Sequence, residues 1–339
     1  MRLIFVHLGK TEAPHLWLNI RKISQDFPRI SITLLLTHEF SQVSNFRNIA
    51  DIEILNEEKL TKSLDFELSH DLAFRDGFWK YTLLRFQAIA EWHQKSLESQ
   101  ILHVESDVLL LPNFPFDKFE NLRKLAWTNV NESHDAPTLV YFPNKFSSEW
   151  LAKQISEEMR ISNHLTDMTV LYKIRSTYAD LIQVLPTVPD RNIIENQDGF
   201  TFEGIFDAAR IGMWLTGQDP RNHFGSLIRH RSILDSEAEP QNWDFRDDKT
   251  GNLYGRHNGE SFPIFNLHIH SKRKRFFTTS SQFSITLEVL LSRFRPEIHT
   301  FRVTVFFQLL AKYLDNHGIF SRKTVTQVRH ILLKILGKA

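Results

Sequence analysis

A chain of 339 residues, 42% of them hydrophobic, is long enough for one large domain or two ordinary ones with a substantial core. The absence of cysteine excludes disulfides, thiolate metal sites and a cysteine nucleophile, and fits a reducing compartment such as the cytoplasm. The net charge of +1 hides an uneven distribution: residues 271–339 hold 13 Lys or Arg against 3 Asp or Glu, the rest of the chain 28 against 37, so a basic tail follows a mildly acidic body.

Residues 1–9 are apolar for one strand's length and lack a cleavage-site pattern, which predicts a first strand over 2–8 rather than a signal peptide. A helix over 14–26 follows, with Pro14 suited to its first turn. The β-branched run 30–37 and the short run 52–55 read as strands, 78–96 as a long helix and 101–111 as a buried strand. Strands over 125–129 and 138–142, helices over 147–160 and 168–181, and a short helix over 207–215 closed by Gly217 complete the body. This alternation is that of an α/β domain with a largely parallel sheet. The polar stretch 235–260 reads as a long loop, a functional lid. Beyond residue 280 the spacing predicts helices over 286–294, 300–316 and 321–336, the last basic and amphipathic, suited to packing on the main domain or lying on an anionic membrane. No stretch reaches the roughly 20 apolar residues of a spanning helix.

Glu105-Ser106-Asp107 interrupts the apolar strand 101–111. Carboxylates at i and i+2 of an extended chain point the same way, and among apolar neighbours they need a positive partner. A divalent cation such as Mg2+ or Mn2+ is one candidate, and a solvated turn or helix cap is the alternative. Downstream, Asn266, His268 and His270 alternate with Phe265, Leu267 and Ile269, giving a strand with two imidazoles on its polar face, followed by Ser271 and Lys272. Imidazole completes a metal shell and Lys272 neutralises phosphate; the alternative is a pair of structural histidines. The cations Arg273, Lys274 and Arg275 that follow argue against a zinc cage made of protein alone.

On the 78–96 helix, Lys80 and Arg85 suit phosphate or ribose, and Trp79 or Phe78 a base or sugar; the alternative is an amphipathic helix with snorkelling cations. Asp207, Glu203 and Asp167 are candidates for a general base, with helix capping as the alternative for Asp207 and Asp167.

The α/β first half, the Arg before an apolar strand, the run His103-Val104-Glu105-Ser106-Asp107-Val108-Leu109-Leu110 and the late strand Leu267-His268-Ile269-His270-Ser271-Lys272 together resemble nucleotide-sugar-dependent glycosyltransferases of the GT-A fold. The resemblance is to the type found in bacterial polysaccharide biosynthesis and covers about residues 1–275; residues 206–217 are also similar to a helix of some bacterial members. It implies a GT-A-like, Rossmann-like sheet flanked by helices over 1–275 and a basic helical extension over 280–339. It further implies a DXD-like motif in which Asp107 contacts Mn2+ or Mg2+, and Glu105 does so directly, through water or through the donor's ribose. His270 becomes a metal ligand with His268 its alternative, Lys272 a diphosphate contact, Arg85 and Lys80 neighbours of the donor, and the His7-Leu8-Gly9 turn a neighbour of the base. The chain departs from the usual motif in having Glu105 where Asp is customary.

The expected function is transfer of a sugar from a nucleotide-sugar donor to a glycan or lipid-linked acceptor by a metal-dependent enzyme, cytoplasmic and attached through its basic tail to the anionic membrane face. Nucleic acid is not an expected partner. The alternatives are a metal-dependent phosphoester or amide hydrolase built on Glu105, Asp107, His268 and His270, and an inactive nucleotide- or sugar-binding module.

Overall fold

A computed structural model of the protein describes residues 1–64, 74–189, 201–217, 240, 243–278 and 281–292. Its strands in chain order are β1 (Arg2–His7), β2 (Ser31–Leu36), β3 (Asp51–Ile54), β4 (Ile101–Val104), β5 (Val108–Leu110), β6 (Leu125–Asn131), β7 (His134–Phe142), β8 (Ile182–Leu185), β9 (Asp244–Asp247), β10 (Leu253–His257), β11 (Glu260–Ile264) and β12 (Asn266–His268). The helices are α1 (Pro14–Asp26), α2 (Glu57–Ser63), α3 (Phe78–Lys95), α4 (Phe116–Asn121), α5 (Lys145–Ile161), α6 (Asp167–Thr177), α7 (Arg210–Thr216) and α8 (Ser281–Ser292).

The central sheet has the order β3-β2-β1-β4-β7-β6-β8. Its neighbours pair in parallel except on the two sides of β7, the one reversed strand. Alternation along the strands sorts side chains to two cores, as the period of two requires. Leu3 and Phe5 of β1 join Leu34, Leu102 and Val104 under Leu16, Trp17, Ile20 and Ile23 of α1. Ile4, Leu35 and Ile101 face the other way, under Leu84 and Ile89 of α3, Leu151 and Ile155 of α5 and Val170 and Ile174 of α6. Both faces are covered, so strands such as β4 are buried throughout. The expected α/β class, with a mostly parallel sheet flanked by helices, is what the chain forms.

Local chemistry sets the element ends. Asn144 and Ser147 form a reciprocal capping box at the start of α5, and Thr166 and Thr169 do the same for α6. Three sequence expectations change. The apolar run 101–111 is two strands, because the chain turns at Glu105, with Val108 N–H donating to the Glu105 carbonyl at 3.1 Å; β4 stays in the main sheet while β5 leaves it to pair antiparallel with β12. The helix expected over 168–181 ends at Thr177, and the chain goes on into the edge strand β8. The expected loop 235–260 contains two strands of an antiparallel sheet, β9 and β10, with β11 completing it. Phe245, Leu253, Phe262 and Ile264 face a third core shared with Leu109, Leu267, Ile211 and Val289, which a polar composition conceals because only one face of each strand is apolar.

Helix α8 packs on α7 and β9, and Arg275 pairs with the buried Glu288. The predicted helices over 300–316 and 321–336 lie outside the described residues. Among those described, no helix is long and apolar enough to cross a membrane.

Candidate metal centre

Strand β4 ends at the carboxyl edge of the parallel strands, where α/β sheets place their ligands. Glu105, Ser106 and Asp107 form the turn there, and β12 runs beside it in the register His268↔Val108. Glu105, Asp107 and His268 each offer one ligand atom, all within 4.8 Å of one another. His268 Nε2 lies 3.4 Å from Asp107 Oδ1 and 3.8 Å from Glu105 Oε2. Lys272 Nζ stands 3.2 Å from Asp107 Oδ2. A tight turn after β12, closed by Lys272 N–H on the Ile269 carbonyl at 2.9 Å, brings it there; Lys272 itself has φ +50, the left-handed region that a non-glycine residue seldom adopts.

Charge explains the cohesion of this group. Burial opposes ionisation of Asp107, but Lys272 and His268 more than reverse this and hold its carboxyl well below the usual range. Burial likewise opposes the Glu105 carboxylate, and Arg85 and His268 lower it in net. His268 would be pushed down by its surroundings, yet Asp107 and Glu105 raise it to about 9, so at neutral pH it carries a proton. Two carboxylates thus hold a cation between them, and an oxygen, oxygen and nitrogen donor set of this kind fits Mn2+ or Mg2+. His268 Nδ1 lies 3.0 Å from the Ala208 carbonyl. A proton on Nδ1 bonded there leaves Nε2 as the ligand atom, the arrangement that outer hydrogen bonds impose on metal-binding imidazoles.

The backbone of β12 is anchored from behind. Asp207 is fully buried, and its carboxylate accepts amide protons from Ile211 at 3.0 Å, Gly212 at 2.7 Å and His268 at 2.8 Å. Burial raises its carboxyl and these bonds counteract part of the rise. Asn266 exchanges two hydrogen bonds with the Asp207 backbone. Gly212 makes the close approach possible: a Cβ there would meet the His268 carbonyl oxygen at 2.1 Å.

Arg85 of α3 lies buried between Glu105 and Asp167, pairing with both, while its Nε donates to the Thr82 carbonyl at 2.8 Å. Burial alone would lower the guanidinium, and the two carboxylates more than reverse this. All three guanidinium nitrogens therefore have partners in the protein. Lys80 belongs to a separate group, 3.0 Å from Glu57, which also accepts from the Tyr81 hydroxyl at 2.9 Å. Tyr81 packs under Gly9, where a Cβ would meet its ring at 2.6 Å, at the turn after β1. His7 closes that turn through Nε2 on the Thr11 carbonyl at 2.8 Å; burial lowers its pKa, as does the nearby charge of Lys272. His270 stacks on His268 with centroids 4.1 Å apart. Glu203 is exposed and left-handed, two residues before Ile205, which bridges Ile264. The chain there runs beside the end of β11, and the Glu203 side chain faces solvent.

The structure thus brings together Glu105, Asp107, His268, Lys272, Arg85 and Asp167, sets His270 against the ring of His268, and leaves Glu203 apart. Two residues that sequence reasoning missed meet the acidic turn from α1: His15, whose Nε2 lies 3.2 Å from Ser106 Oγ, and the buried Asn19. Their signal was available, since Asn19 is polar within the apolar stripe Leu16, Ile20 and Ile23, where a polar side chain needs a partner.

No protein-family model matches the chain, and no curated protein does either. Among solved structures it is similar to the galactosyltransferase LgtC in complex with donor and acceptor sugar analogues, at TM-score 0.41 and 10% identity over 55% of this chain and 73% of that one. It is also similar to the glycosyltransferase GlyE of Streptococcus pneumoniae TIGR4, at 0.36 and 14% over 69% and 50%, and to the PaToxG glycosyltransferase, at 0.35 and 10% over 53% and 69%. Identities of this order assign neither activity nor substrate.

Proposed function

We propose that this chain is a metal-dependent glycosyltransferase that moves a sugar from a nucleotide-sugar donor to a glycan or lipid-linked acceptor. The observation that carries the reading is the convergence of Glu105, Asp107 and His268 within 4.8 Å, with Lys272 on Asp107, at the carboxyl edge of the sheet. Asp107, His268 and Glu105 would hold an Mn2+ or Mg2+ ion, which when bound would supply positive charge against a leaving diphosphate. Lys272 moves from Asp107 to the diphosphate oxygens and neutralises the charge that grows as the sugar's bond to the donor phosphate breaks. The acceptor hydroxyl oxygen forms the new bond to the same carbon as the bond to the diphosphate breaks, and its proton passes to the departing diphosphate or to water. Arg85 and Asp167 keep Glu105 ionised and in place, Asp207 anchors His268, and the His7-Leu8-Gly9 turn with Tyr81 approaches the donor base.

A thermal-shift screen of nucleoside diphosphates with and without Mn2+ tests the reading, because binding to the folded chain raises Tm. At least one diphosphate is expected to raise Tm only when Mn2+ is present, and Asp107→Ala to abolish both that shift and metal-dependent donor hydrolysis. No metal-dependent shift with any diphosphate would refute the reading. The basic segment 293–339 supports a second element of it, attachment to an anionic membrane face on the cytoplasmic side. Full-length protein is expected to float with anionic liposomes and a chain truncated after Ser292, which keeps α8, to remain behind; equal behaviour would remove the membrane from the proposal.

A further inference from the structure

The acidic turn is gripped from two sides through its own backbone. Three successive carbonyls, those of Ser106, Asp107 and Val108, accept hydrogen bonds from outside the turn. Ile269 N–H donates to the Asp107 carbonyl at 2.8 Å, a bond that extends the β5–β12 pairing. The other two carbonyls point the opposite way, to Asn19 of α1, whose Nδ2 donates to Ser106 O at 3.2 Å and Val108 O at 2.8 Å. Because both partners are carbonyl oxygens, the amide orientation is dictated by chemistry: only the NH2 end can face them. Asn19 is fully buried. One helical turn earlier, on the same face, His15 reaches Ser106 Oγ, with Nε2 at 3.2 Å.

We infer that Asn19, assisted by His15, is a positioning residue of the metal site: by clamping the carbonyls on either side of Asp107 it sets the direction of that carboxylate before any ligand arrives. This rests on the proposed metal-dependent function. The physical ground is that a ligand aimed in advance loses less freedom on binding, and that groups orienting a ligand typically contribute about 10–100-fold to metal affinity. The arrangement also explains a polar residue in the apolar face of α1.

The test uses full-length protein with Mn2+, titrated by the paramagnetic resonance signal of the free ion, in the presence of the nucleoside diphosphate giving the largest metal-dependent thermal shift. Asn19→Leu, which keeps the branching at Cγ but removes both donors, and Asn19→Ala are each expected to weaken Mn2+ binding about tenfold. His15→Ala, which removes a hold on Ser106 only, is expected to weaken it about threefold. Ile155→Val, in the core on the opposite face of the sheet, serves as the control that lowers Tm and leaves Mn2+ affinity unchanged. Wild-type affinity in a folded Asn19 variant overturns the inference, as does an equal loss in Ile155→Val, which would make the effect one of general stability. If neither Asn19 variant folds, His15→Ala decides: unaltered affinity overturns the proposal. A wild-type chain that binds no Mn2+ with any diphosphate overturns the functional reading and the inference with it, and is distinguishable from the outcomes in which only the variants speak.

Discussion

Glu105 and Asp107 stand two residues apart and in different company. Glu105 turns toward α3, where the buried Arg85 is shared with Asp167. Asp107 faces Lys272, 3.2 Å away on a chain turn, whose side chain is 30% exposed against 9% for Arg85. One acid is therefore part of a buried ion triad whose cation has its nitrogens satisfied by protein. The other is paired with a cation that has a short way to go to reach solvent or a ligand. The lesson is that an acid-x-acid pattern need not contain two equivalent ligands: the same chemical group serves structure on one side and exchange on the other, according to the mobility of its counter-charge.

The comparison breaks most sharply at Arg85. Arg85→Met leaves the buried Asp167 without a cation and Glu105 with His268 alone, and is expected to cost about 3–5 kcal/mol of stability, read from urea denaturation. Adding Asp167→Asn should recover part of that loss. Lys272→Met, at the more exposed end, is expected to cost less than about 1 kcal/mol, and an equal effect of the two would erase the proposed asymmetry. Next comes Gly212→Ala, whose Cβ would strike the His268 carbonyl oxygen. Overpacking of this kind typically costs about 1–3 kcal/mol, and here it should also weaken Mn2+ binding, because the displaced strand carries His268.

Titration sharpens the comparison further. His268 is raised to about 9 by Asp107 and Glu105 against burial, and a metal requires its neutral form. Mn2+ affinity should therefore rise about tenfold per pH unit between pH 6.5 and 8.5 as the competing proton is lost, and His268→Gln should flatten that dependence. Without metal the same proton acts on folding in the opposite direction. The stabilisation from a raised imidazole is complete below about pH 6.5 and disappears as pH rises to about 9. His103 and His93, lowered to about 4 chiefly by burial, have the reverse sign. What they contribute is present above about pH 6.5 and is lost as pH falls toward 4, at no more than about 1.4 kcal/mol per pH unit for each. Urea midpoints from pH 4 to 9, with and without Mn2+, separate these contributions. The smallest effect is expected at the exposed Lys62–Glu58 pair on α2, where Lys62→Ala should change stability by about 0.5 kcal/mol or less.

By itself the sequence determined which local structures form and which chemical groups are available. Alternating apolar runs at 2–8 and 30–37, Pro14 at a helix start and the stripe of α1 depend on neighbours a few residues away, so they were legible as an α/β pattern. The acidic triplet and the His-x-His strand were legible as candidates because charged and ionisable groups among apolar ones require partners. Tertiary structure alone decided who those partners are. His268 rather than His270 faces the carboxylates because β12 pairs with β5 in the register that sets it opposite Val108. Arg85 meets Asp167, 82 residues away, because α3 and α6 lie on the same face of the sheet. Asn19 meets the acidic turn because α1 covers the other face. The separation has a physical reason: hydrophobic periodicity is set by the backbone over short distances, whereas the strength and direction of an electrostatic contact depend on distances across the sheet that only the packed chain defines.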